Sequence, residues 1–321
     1  MKIAVLANPG AGGGGKGRQV LEKIRQAWSK ETLFGAAGFG GEALPACVSP
    51  ERPEAGYLPA LKQAVALLLK EEPDLLVTVG GDGTAAYAAE EVLAAGKAVP
   101  ILGIGTGTAN VGPIVSFRAE DELPDPADLT EKHLGAMEVM TLSGRHIANG
   151  FNDLVLGNTF LGTDENGRTV TFEAGTLAGE GRLVKAAPLA EIFADGPCFA
   201  ADGRPLPAAG FPVAQLIAST LEEENYYGRA VTGLWCYTPA SPSQGAVYIT
   251  PVPVVSMEES SAGFDSWLVG GQFLLSPGQI LRVSGLKKEV CAVADGNPYR
   301  IPQEGIAIRY VPELIKVYRR R

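Results

Sequence analysis

The stretch Leu75-Leu76-Val77-Thr78-Val79-Gly80-Gly81-Asp82-Gly83-Thr84 decides how the chain folds. It is a short run of apolar and β-branched residues that ends in a glycine turn carrying one acid. Such a run is typical of a strand that is buried on both faces of a parallel sheet. Residues 85–96 have the composition of a helix that stops at Gly96. A strand, a glycine turn and a helix in this order place backbone N–H groups and the positive end of a helix dipole where a phosphate can bind.

Asp82 is the unusual residue of this turn. A carboxylate repels a phosphate unless a cation bridges the two groups or the carboxylate accepts a proton from an attacking hydroxyl. The turn therefore indicates chemistry rather than binding alone. The alternative is that Asp82 caps the following helix, because aspartate is common at the start of helices.

The whole chain has the composition of a globular protein. Its 321 residues favour two domains, and 46% of them are hydrophobic and 20% charged. No stretch approaches the roughly 18 apolar residues that span a membrane, and the first residues do not resemble a signal peptide. We therefore expect a cytoplasmic protein without an integral membrane segment. The net charge of −9 argues against nucleic-acid binding. The basic run Arg319-Arg320-Arg321 is predicted to be a solvated tail.

Two further glycine-rich loops follow predicted strands. The first, residues 8–18, contains Lys16 and Arg18, which supply the charge that a phosphate-binding loop needs. It is not a P-loop, because Gly17 stands where that motif has serine or threonine. The second loop covers residues 105–113. Because open α/β sheets bind ligands at the carboxyl ends of their strands, we expect these loops to converge with the turn at Asp82.

The character of the chain changes near residues 120–130 from alternating strands and helices to short strands with turns. We therefore predict an α/β domain over residues 1–125, to which residues 306–321 return, and an all-β domain over residues 126–305. Within the first domain, residues 31–56 show no periodicity and are predicted to be a variable connection.

The predicted second domain holds two polar features. Asn152-Asp153 lies inside an otherwise apolar strand pattern, and Asp295-Gly296 ends another strand. Buried polar groups must find partners, so both pairs are candidates for a site. The alternatives are a turn or bulge for Asn152-Asp153 and a plain hairpin turn for Asp295-Gly296.

These features together resemble a known superfamily. Gly80-Gly81-Asp82-Gly83-Thr84, preceded by Asn8-Pro9 and followed by Gly105-Thr106-Gly107-Thr108-Ala109-Asn110, resembles the NAD kinases and the diacylglycerol or sphingosine lipid kinases. The loop over residues 102–113 is most similar to the ATP-NAD kinase-like branch that includes the acetoin-catabolism protein X. Asn152-Asp153 is similar to the Asn-Glu/Asp motif of NAD kinases, and Asp295-Gly296 resembles the late Asp-Gly turn of the superfamily.

The resemblance implies a Rossmann-like N-terminal domain, a C-terminal β-sandwich domain and an active site in the cleft between them. There ATP would donate its γ-phosphoryl group to a hydroxyl of NAD or a related nucleotide, and Asp82 would activate that hydroxyl or hold Mg²⁺. The acceptor would contact Asn152, Asp153, Asp295 and Gly296. The nucleotide phosphates would contact Asn8, Gly80, Gly81, Gly83, Thr84, Gly105, Thr106, Gly107, Thr108 and Asn110. The resemblance also implies a homo-oligomer, either a dimer or a tetramer.

Two departures from the superfamily leave the acceptor open. NAD kinases carry a Gly-x-Asn-x-Gly-x-Leu-Gly-Phe loop where this chain has residues 103–112, and lipid kinases have Glu after the late Asp-Gly, where this chain has Asn297. The first alternative is therefore a kinase of a lipid or another small hydroxyl compound. The second is a nucleotide-binding regulator without catalytic activity.

Overall fold

The chain divides into two units. The structure is a computed structural model that describes residues 1–11, 15–107, 110, 112–164, 166, 168–207, 209–222, 244–255 and 270–320. The first unit is Met1–Leu134 with Glu313–Arg321, and the second unit is Gly135–Pro312. Both divisions fall a little later in the chain than the predicted domain boundaries.

The first unit alternates strands and helices. Its elements in chain order are β1 (Lys2–Ala7), α1 (Gly15–Ala27), β2 (Thr32–Ala36), a 3₁₀ turn (Gly41–Ala43), β3 (Ala46–Val48), α2 (Tyr57–Lys70), β4 (Leu75–Gly80), α3 (Asp82–Ala94), β5 (Ile101–Gly105), β6 (Val115–Arg118) and a second 3₁₀ turn (Pro126–Asp128).

The second unit consists mostly of strands. The elements that follow in the chain are β7 (Leu129–Thr141), β8 (His146–Gly150), β9 (Leu154–Gly157), β10 (Thr159–Thr163), β11 (Thr169–Glu173), α4 (Ala174–Glu180), β12 (Phe193–Ala201), β13 (Arg204–Pro205), β14 (Gln215–Thr220), β15 (Gly245–Thr250), β16 (Gly271–Leu275), β17 (Ile280–Leu286), β18 (Cys291–Ala294), β19 (Asn297–Arg300) and β20 (Ile306–Arg320). The strands β7 and β20 have residues in both units.

The sheet of the first unit is parallel, and its strand order is β3-β2-β1-β4-β5-β6. The order reverses between β1 and β4, where Ala7 lies opposite Val79 at the carboxyl ends of the two strands. Such a switch point is where open α/β sheets bind ligands. The loops that follow β1 and β4 therefore lie side by side. The C-terminal end of β20 also runs parallel to β5, with Val317 opposite Ile101.

Helix periodicity explains how the first unit forms its core. All residues of β4 are buried. The buried residues of α2 recur at the three- and four-residue spacing of one helix face, which packs on the sheet: they are Leu61, Ala64, Val65, Leu68 and Leu69. The spacing of apolar residues in the sequence over residues 57–70 by itself predicts a helix with these bounds.

The second unit is a β-sandwich. One antiparallel sheet has the order β16-β15-β14-β9-β18-β19, and the other places β12 and β17 beside the first residues of β20. A single buried cluster contains Leu216 and Val247 of the first sheet and Phe199 and Val283 of the second. Side chains from two facing sheets that share one core define a sandwich. The predicted fold class, a Rossmann-like unit followed by a β-sandwich, is confirmed.

Two local predictions are wrong. Residues 31–56 contain β2 and β3 instead of a variable connection. Strands this short carry no readable alternation, and they are defined by pairing, β2 with β1 and β3 with β2. Arg319 is not part of a solvated tail: β20 continues to Arg320, and the Arg319 guanidinium donates a hydrogen bond to the carbonyl of Pro113. Among the described residues, no helix is long and apolar enough to cross a membrane.

Gly103 allows β5 and β6 to pair closely. A Cβ at this position would lie 2.7 Å from the carbonyl oxygen of Ile114 and 2.8 Å from the Cα of Val115. Both atoms belong to the backbone, so the strands must separate to admit a methyl group. We expect Gly103→Ala to lower the free energy of unfolding by about 1–3 kcal/mol, measured by urea denaturation.

The matched control for this prediction is Gly15→Ala, because a Cβ at Gly15 has open space around it. Its free energy of unfolding should equal or slightly exceed that of the wild type. Equal values for both variants would show that β5 and β6 tolerate the added methyl group.

Candidate active site

The glycine turn between β4 and α3 leaves no room for a side chain at Gly80. A Cβ at Gly80 would lie 2.8 Å from Oγ1 of Thr84. Gly81 is extended, with φ −97° and ψ −177°, and it is the N-cap residue of α3. The amide of Thr84 donates to the carbonyl of Gly81 at 3.1 Å and closes the first turn. Asp82 and Thr84 therefore lie in the first helical turn, at the positive end of the helix dipole.

Asp82 contacts the loop that follows β5. Its Oδ1 accepts a hydrogen bond of 2.9 Å from the amide of Gly112. A Cβ at residue 112 would lie 2.8 Å from the same oxygen, so the approach requires glycine there. Asp82 is not the N-cap residue of α3, because Gly81 has that position. Its half-buried carboxylate is instead held by a backbone N–H from another loop.

Asn8 links the loop after β1 to the first turn of α3. Its amide donates to the carbonyl of Val79 at 2.8 Å, and its Nδ2 donates to Oγ1 of Thr84 at 3.0 Å. Its Oδ1 accepts from the amide of Gly10 at 2.9 Å. The hydroxyl of Tyr57 lies 3.4 Å from Oγ1 of Thr84. Asn8 thus fixes both its own loop and the helix beside it.

The loop after β5 meets the same turn. The amide of Thr106 donates to the carbonyl of Gly80 at 2.8 Å. Asn110 has a left-handed φ of 51°, and its side chain accepts from the amide of Gly107 at 3.1 Å and donates to the carbonyl of Gly107 at 2.7 Å. A Cβ at Gly107 would lie 3.1 Å from the Cα of Gly81. The backbones of the two loops are therefore nearly in contact.

Most residues that the sequence predicts to bind the nucleotide come together in the first unit. Gly105 pairs with Gly80 across β5 and β4, and Gly83 follows Asp82 in α3. Thr108 lies outside the described residues. No sequence motif indicates a role for Gly112 or Tyr57, because their part depends on contacts between segments that are distant in sequence.

The donor atoms of this site suit magnesium and phosphate. A carboxylate oxygen such as that of Asp82 is a hard ligand, and Mg²⁺ is commonly bound by one or two carboxylates together with phosphate oxygens. The described part of the chain contains no group of three His, Cys, Asp or Glu residues that could hold a metal by itself.

The Oγ1 of Thr106, a residue that is 2% exposed, has no hydrogen-bond partner within the described residues. A buried hydroxyl normally has a partner, and a bound polar ligand would supply one.

The second unit contains a separate polar cluster at the β18–β19 hairpin. Asp295 and Gly296 form its two-residue turn, and both have positive φ angles, 50° and 79°. Asp-Gly is favoured in such turns because their central residues need positive φ. The hairpin alternative for Asp295-Gly296 is therefore correct, but it does not describe everything that Asp295 does.

The Asp295 carboxylate binds three consecutive backbone amides. Its Oδ2 accepts from Phe151 at 2.9 Å, and its Oδ1 accepts from Asn152 at 2.8 Å and from Asp153 at 3.1 Å. The amide of Asp295 donates to the carbonyl of Asp153 at 3.1 Å. Asp295 therefore fixes the link between β8 and β9.

Asn152 and Asp153 lie in this link and not inside a strand. Their predicted position within a strand is wrong and the turn alternative is correct, because the Asp295 carboxylate supplies the acceptors that a neighbouring strand would otherwise provide. The Nδ2 of Asn152 donates to Oδ2 of Asp153 at 3.0 Å. The link thus presents a carboxylate whose orientation is set by its neighbour.

The environment of Asp295 shifts its protonation. Burial raises the pKa of the Asp295 carboxyl well above its usual range, and the nearby Asp153 carboxylate raises it further. The three amides oppose this shift, because N–H donors favour the ionised form. The folded protein therefore binds this proton more tightly than the unfolded chain does.

Asp295→Asn should destabilise the protein. Asparagine preserves the hairpin turn but replaces one carboxylate oxygen with an NH₂ group that faces a backbone N–H. We expect the free energy of unfolding to fall by about 1–3 kcal/mol. The proton of the wild-type carboxyl adds to the free energy of unfolding below the ordinary pKa of 3.8. This stabilisation is lost as the pH rises through the raised pKa of the folded protein. Urea unfolding should show the wild-type advantage shrinking as the pH rises above about 4.

The control for this prediction is Asp164→Asn. Asp164 accepts from the amides of Asn166 and Arg168 through Oδ1, and asparagine offers the same oxygen. The midpoint of its urea transition should stay close to that of the wild type. A loss of equal size in both variants would show that the three-amide contact is not what stabilises the hairpin.

Comparison with known proteins agrees with this geometry. The family model of the ATP-NAD kinase N-terminal domain matches residues 41–123, which include Asp82 and Gly112. Comparison with curated protein sequences finds no match.

Several solved structures share the fold. A yeast NADH kinase in complex with NADH is 13% identical, with a TM-score of 0.55 over 98% of this chain and 82% of that chain. A diacylglycerol kinase from Bacillus anthracis str. Sterne is 12% identical, with a TM-score of 0.52 over 98% of this chain and 96% of that chain. A putative diacylglycerol kinase from the same organism is 13% identical, with a TM-score of 0.55 and the same coverage. The chain therefore shares the fold of these kinases, and its residues 41–123 match the ATP-NAD kinase N-terminal domain.

Proposed function

We propose that this protein is a kinase that transfers the γ-phosphoryl group of ATP to a hydroxyl of NAD or a related nucleotide. The observation that carries the proposal is the Asp82 carboxylate in the first turn of α3, bonded to the amide of Gly112 and bordered by the loops that follow β1 and β5. The family match over residues 41–123 includes this turn and supports the same conclusion.

The first unit would bind the phosphates of the donor. Glycine-rich loops beside a helix N-terminus offer backbone N–H groups to an anion, and the helix dipole adds to the attraction. The hydroxyls of Thr84 and Thr106 belong to residues beside the same glycine turn. Mg²⁺, when bound, would neutralise charge on the β- and γ-phosphates, and Asp82 with the phosphate oxygens would hold it.

Asp82 would also serve the acceptor hydroxyl. Its carboxylate accepts the hydroxyl proton as the hydroxyl oxygen forms a bond to the γ-phosphorus. The bond from that phosphorus to the bridging oxygen breaks, and ADP leaves with the electron pair. Phosphoryl transfer depends mainly on positioning and charge neutralisation, so a site of one carboxylate, a metal and backbone amides is sufficient. The amide of Gly112 keeps the carboxylate in one orientation.

Asn152 and Asp153 would bind the acceptor. A carboxylate accepts hydrogen bonds from the adjacent hydroxyls of a ribose, which a nucleotide acceptor carries. Asn152 orients the carboxylate, and Asp295 fixes the backbone beneath both residues. These contacts favour an acceptor that is rich in hydroxyl groups.

A lipid hydroxyl is the second candidate acceptor. It is favoured by the fold that the chain shares with the diacylglycerol kinases of Bacillus anthracis over 96% of their length. Asn297, buried at the start of β19, departs from the lipid-kinase pattern noted in the sequence, so the nucleotide acceptor remains our first proposal.

The acceptor can be tested directly. Purified protein with ATP, Mg²⁺ and NAD should form NADP, measured by coupling to a dehydrogenase that uses only NADP. The same mixture with NADH should form NADPH. An absence of product above a blank with both acceptors, and with polyphosphate as the donor, would contradict the proposal. Phosphorylation of diacylglycerol or sphingosine would then support the lipid candidate, and ATP binding without turnover would support the regulator.

Asp82→Asn should abolish turnover without unfolding the protein. We expect kcat to fall by about 10²- to 10⁴-fold, because the amide cannot accept the hydroxyl proton and is a poor ligand for Mg²⁺. Thermal unfolding checks that the fold is intact. Glu90→Gln is the control, because Glu90 is a half-buried acid on the same helix and should keep full activity. Full turnover by the Asp82 variant would leave the carboxylate with a structural role only.

A further inference from the structure

The C-terminal end of β20 supports the loop that holds Asp82. Val317 lies opposite Ile101, so the strand runs beside the first residues of β5. Two residues later, the half-buried Arg319 donates through Nη2 to the carbonyl of Pro113. Arg320, the next residue, is exposed to solvent. The two arginines therefore have different surroundings in spite of their adjacent positions.

The segment that Arg319 contacts is held from both sides. The Oγ of Ser116 donates to the carbonyl of Tyr318 at 2.7 Å, which ties the segment to β20. The amide of Gly103 donates to the carbonyl of Ile114 at 3.1 Å, which ties it to β5. The peptide between residues 112 and 114 is thus fixed at its C-terminal side.

A link of two residues connects this support to Asp82. The ring of Pro113 fixes its φ, which restricts how its carbonyl moves relative to the preceding peptide bond. The residue before Pro113 is Gly112, whose amide donates to Oδ1 of Asp82 at 2.9 Å. The clearance is small, since a Cβ at Gly112 would lie 2.8 Å from the same oxygen. A shift of the Pro113 carbonyl therefore moves the donor that orients Asp82.

We infer that Arg319 is a positioning residue, which holds the Pro113 carbonyl and through it keeps the Gly112 amide against the carboxylate of Asp82. The effect on catalysis rests on the proposed function, but the effect on the Gly112 amide does not. An arginine suits this task, because its guanidinium stays charged and makes strong hydrogen bonds to a carbonyl. A small misplacement of a catalytic group is costly, so an arginine outside the reacting centre can control the rate.

The first test measures the Gly112 amide itself. In Arg319→Ala, hydrogen exchange followed by NMR should be about tenfold faster at Gly112, while exchange at Val77 in β4 stays unchanged. Arg319→Lys keeps a donor for the carbonyl and should restore most of the protection. Arg320→Ala is the matched control and should leave exchange at both amides unchanged. Equal exchange at Gly112 in the wild type and Arg319→Ala would overturn the inference.

The second test measures catalysis. Arg319→Ala should lower kcat by about 10- to 100-fold while KM for ATP changes little, because the proposed phosphate contacts do not include this residue. Arg319→Lys should recover much of the loss, and Arg320→Ala should match the wild type. Faster exchange with unchanged kcat, or a loss that appears in KM alone, would contradict the positioning role. If Arg319→Ala exchanges faster at Gly112 but the wild type shows no turnover, the proposed function is contradicted, whereas the contact from Arg319 to the Gly112 segment is supported.

Discussion

Everything proposed for the first unit depends on how closely its backbone approaches the Asp82 carboxylate. The approach needs glycine at several positions, because a side chain at Gly80, Gly107 or Gly112 would collide with Thr84, Gly81 or Asp82. Without side chains at these positions, three loops that start from different strands form one surface of peptide groups around a single acid. An anion bound to such a surface lies next to a negative charge, which is favourable only with a cation present or a proton to accept.

In the second unit, a carboxylate satisfies backbone N–H groups instead of lying beside N–H groups that a ligand could use. The amides of residues 151–153 could themselves bind an anion, but they are already satisfied by Asp295. What this link offers to a ligand is the side chains of Asn152 and Asp153, which carry oxygen acceptors. Acceptors of this kind recognise hydroxyl groups better than phosphates. The two clusters therefore differ in chemistry: the first offers N–H groups that suit phosphates and the second offers oxygen acceptors that suit hydroxyls, a difference on which the proposed function depends.

The comparisons fit this division. The family match over residues 41–123 lies in the first unit, where peptide groups and one carboxylate make up the candidate site. Peptide groups can bind phosphates whatever molecule receives the phosphoryl group. The family match is therefore more informative about a phosphate-containing ligand than about a phosphoryl acceptor. The solved kinases share the fold of the chain at 12–14% identity, which does not identify residues that contact an acceptor. The proposed acceptor contacts of Asn152 and Asp153 therefore rest on the hydrogen bonds that these residues make with each other and with Asp295.

Several parts of this protein follow from the sequence alone, because their signals are local. The buried run of β4 and the face of α2 follow from the spacing of apolar residues, and the turn at Asp295-Gly296 follows from backbone angles that few residues adopt. The convergence of the loops also follows, because parallel strands bring their carboxyl ends to one edge of a sheet.

Other parts were decided only by the tertiary structure. The short strand β2 exists because β1 offers it an edge, and β3 pairs in turn with β2, which no pattern inside so few residues could indicate. The contacts from Gly112 to Asp82, from Asp295 to Phe151 and from Arg319 to Pro113 join residues that are far apart in sequence. A hydrogen bond of this kind depends on the order of the strands and on where each loop returns. The residue types at its two ends show only that each can donate or accept, and the fold alone decides which of them meet.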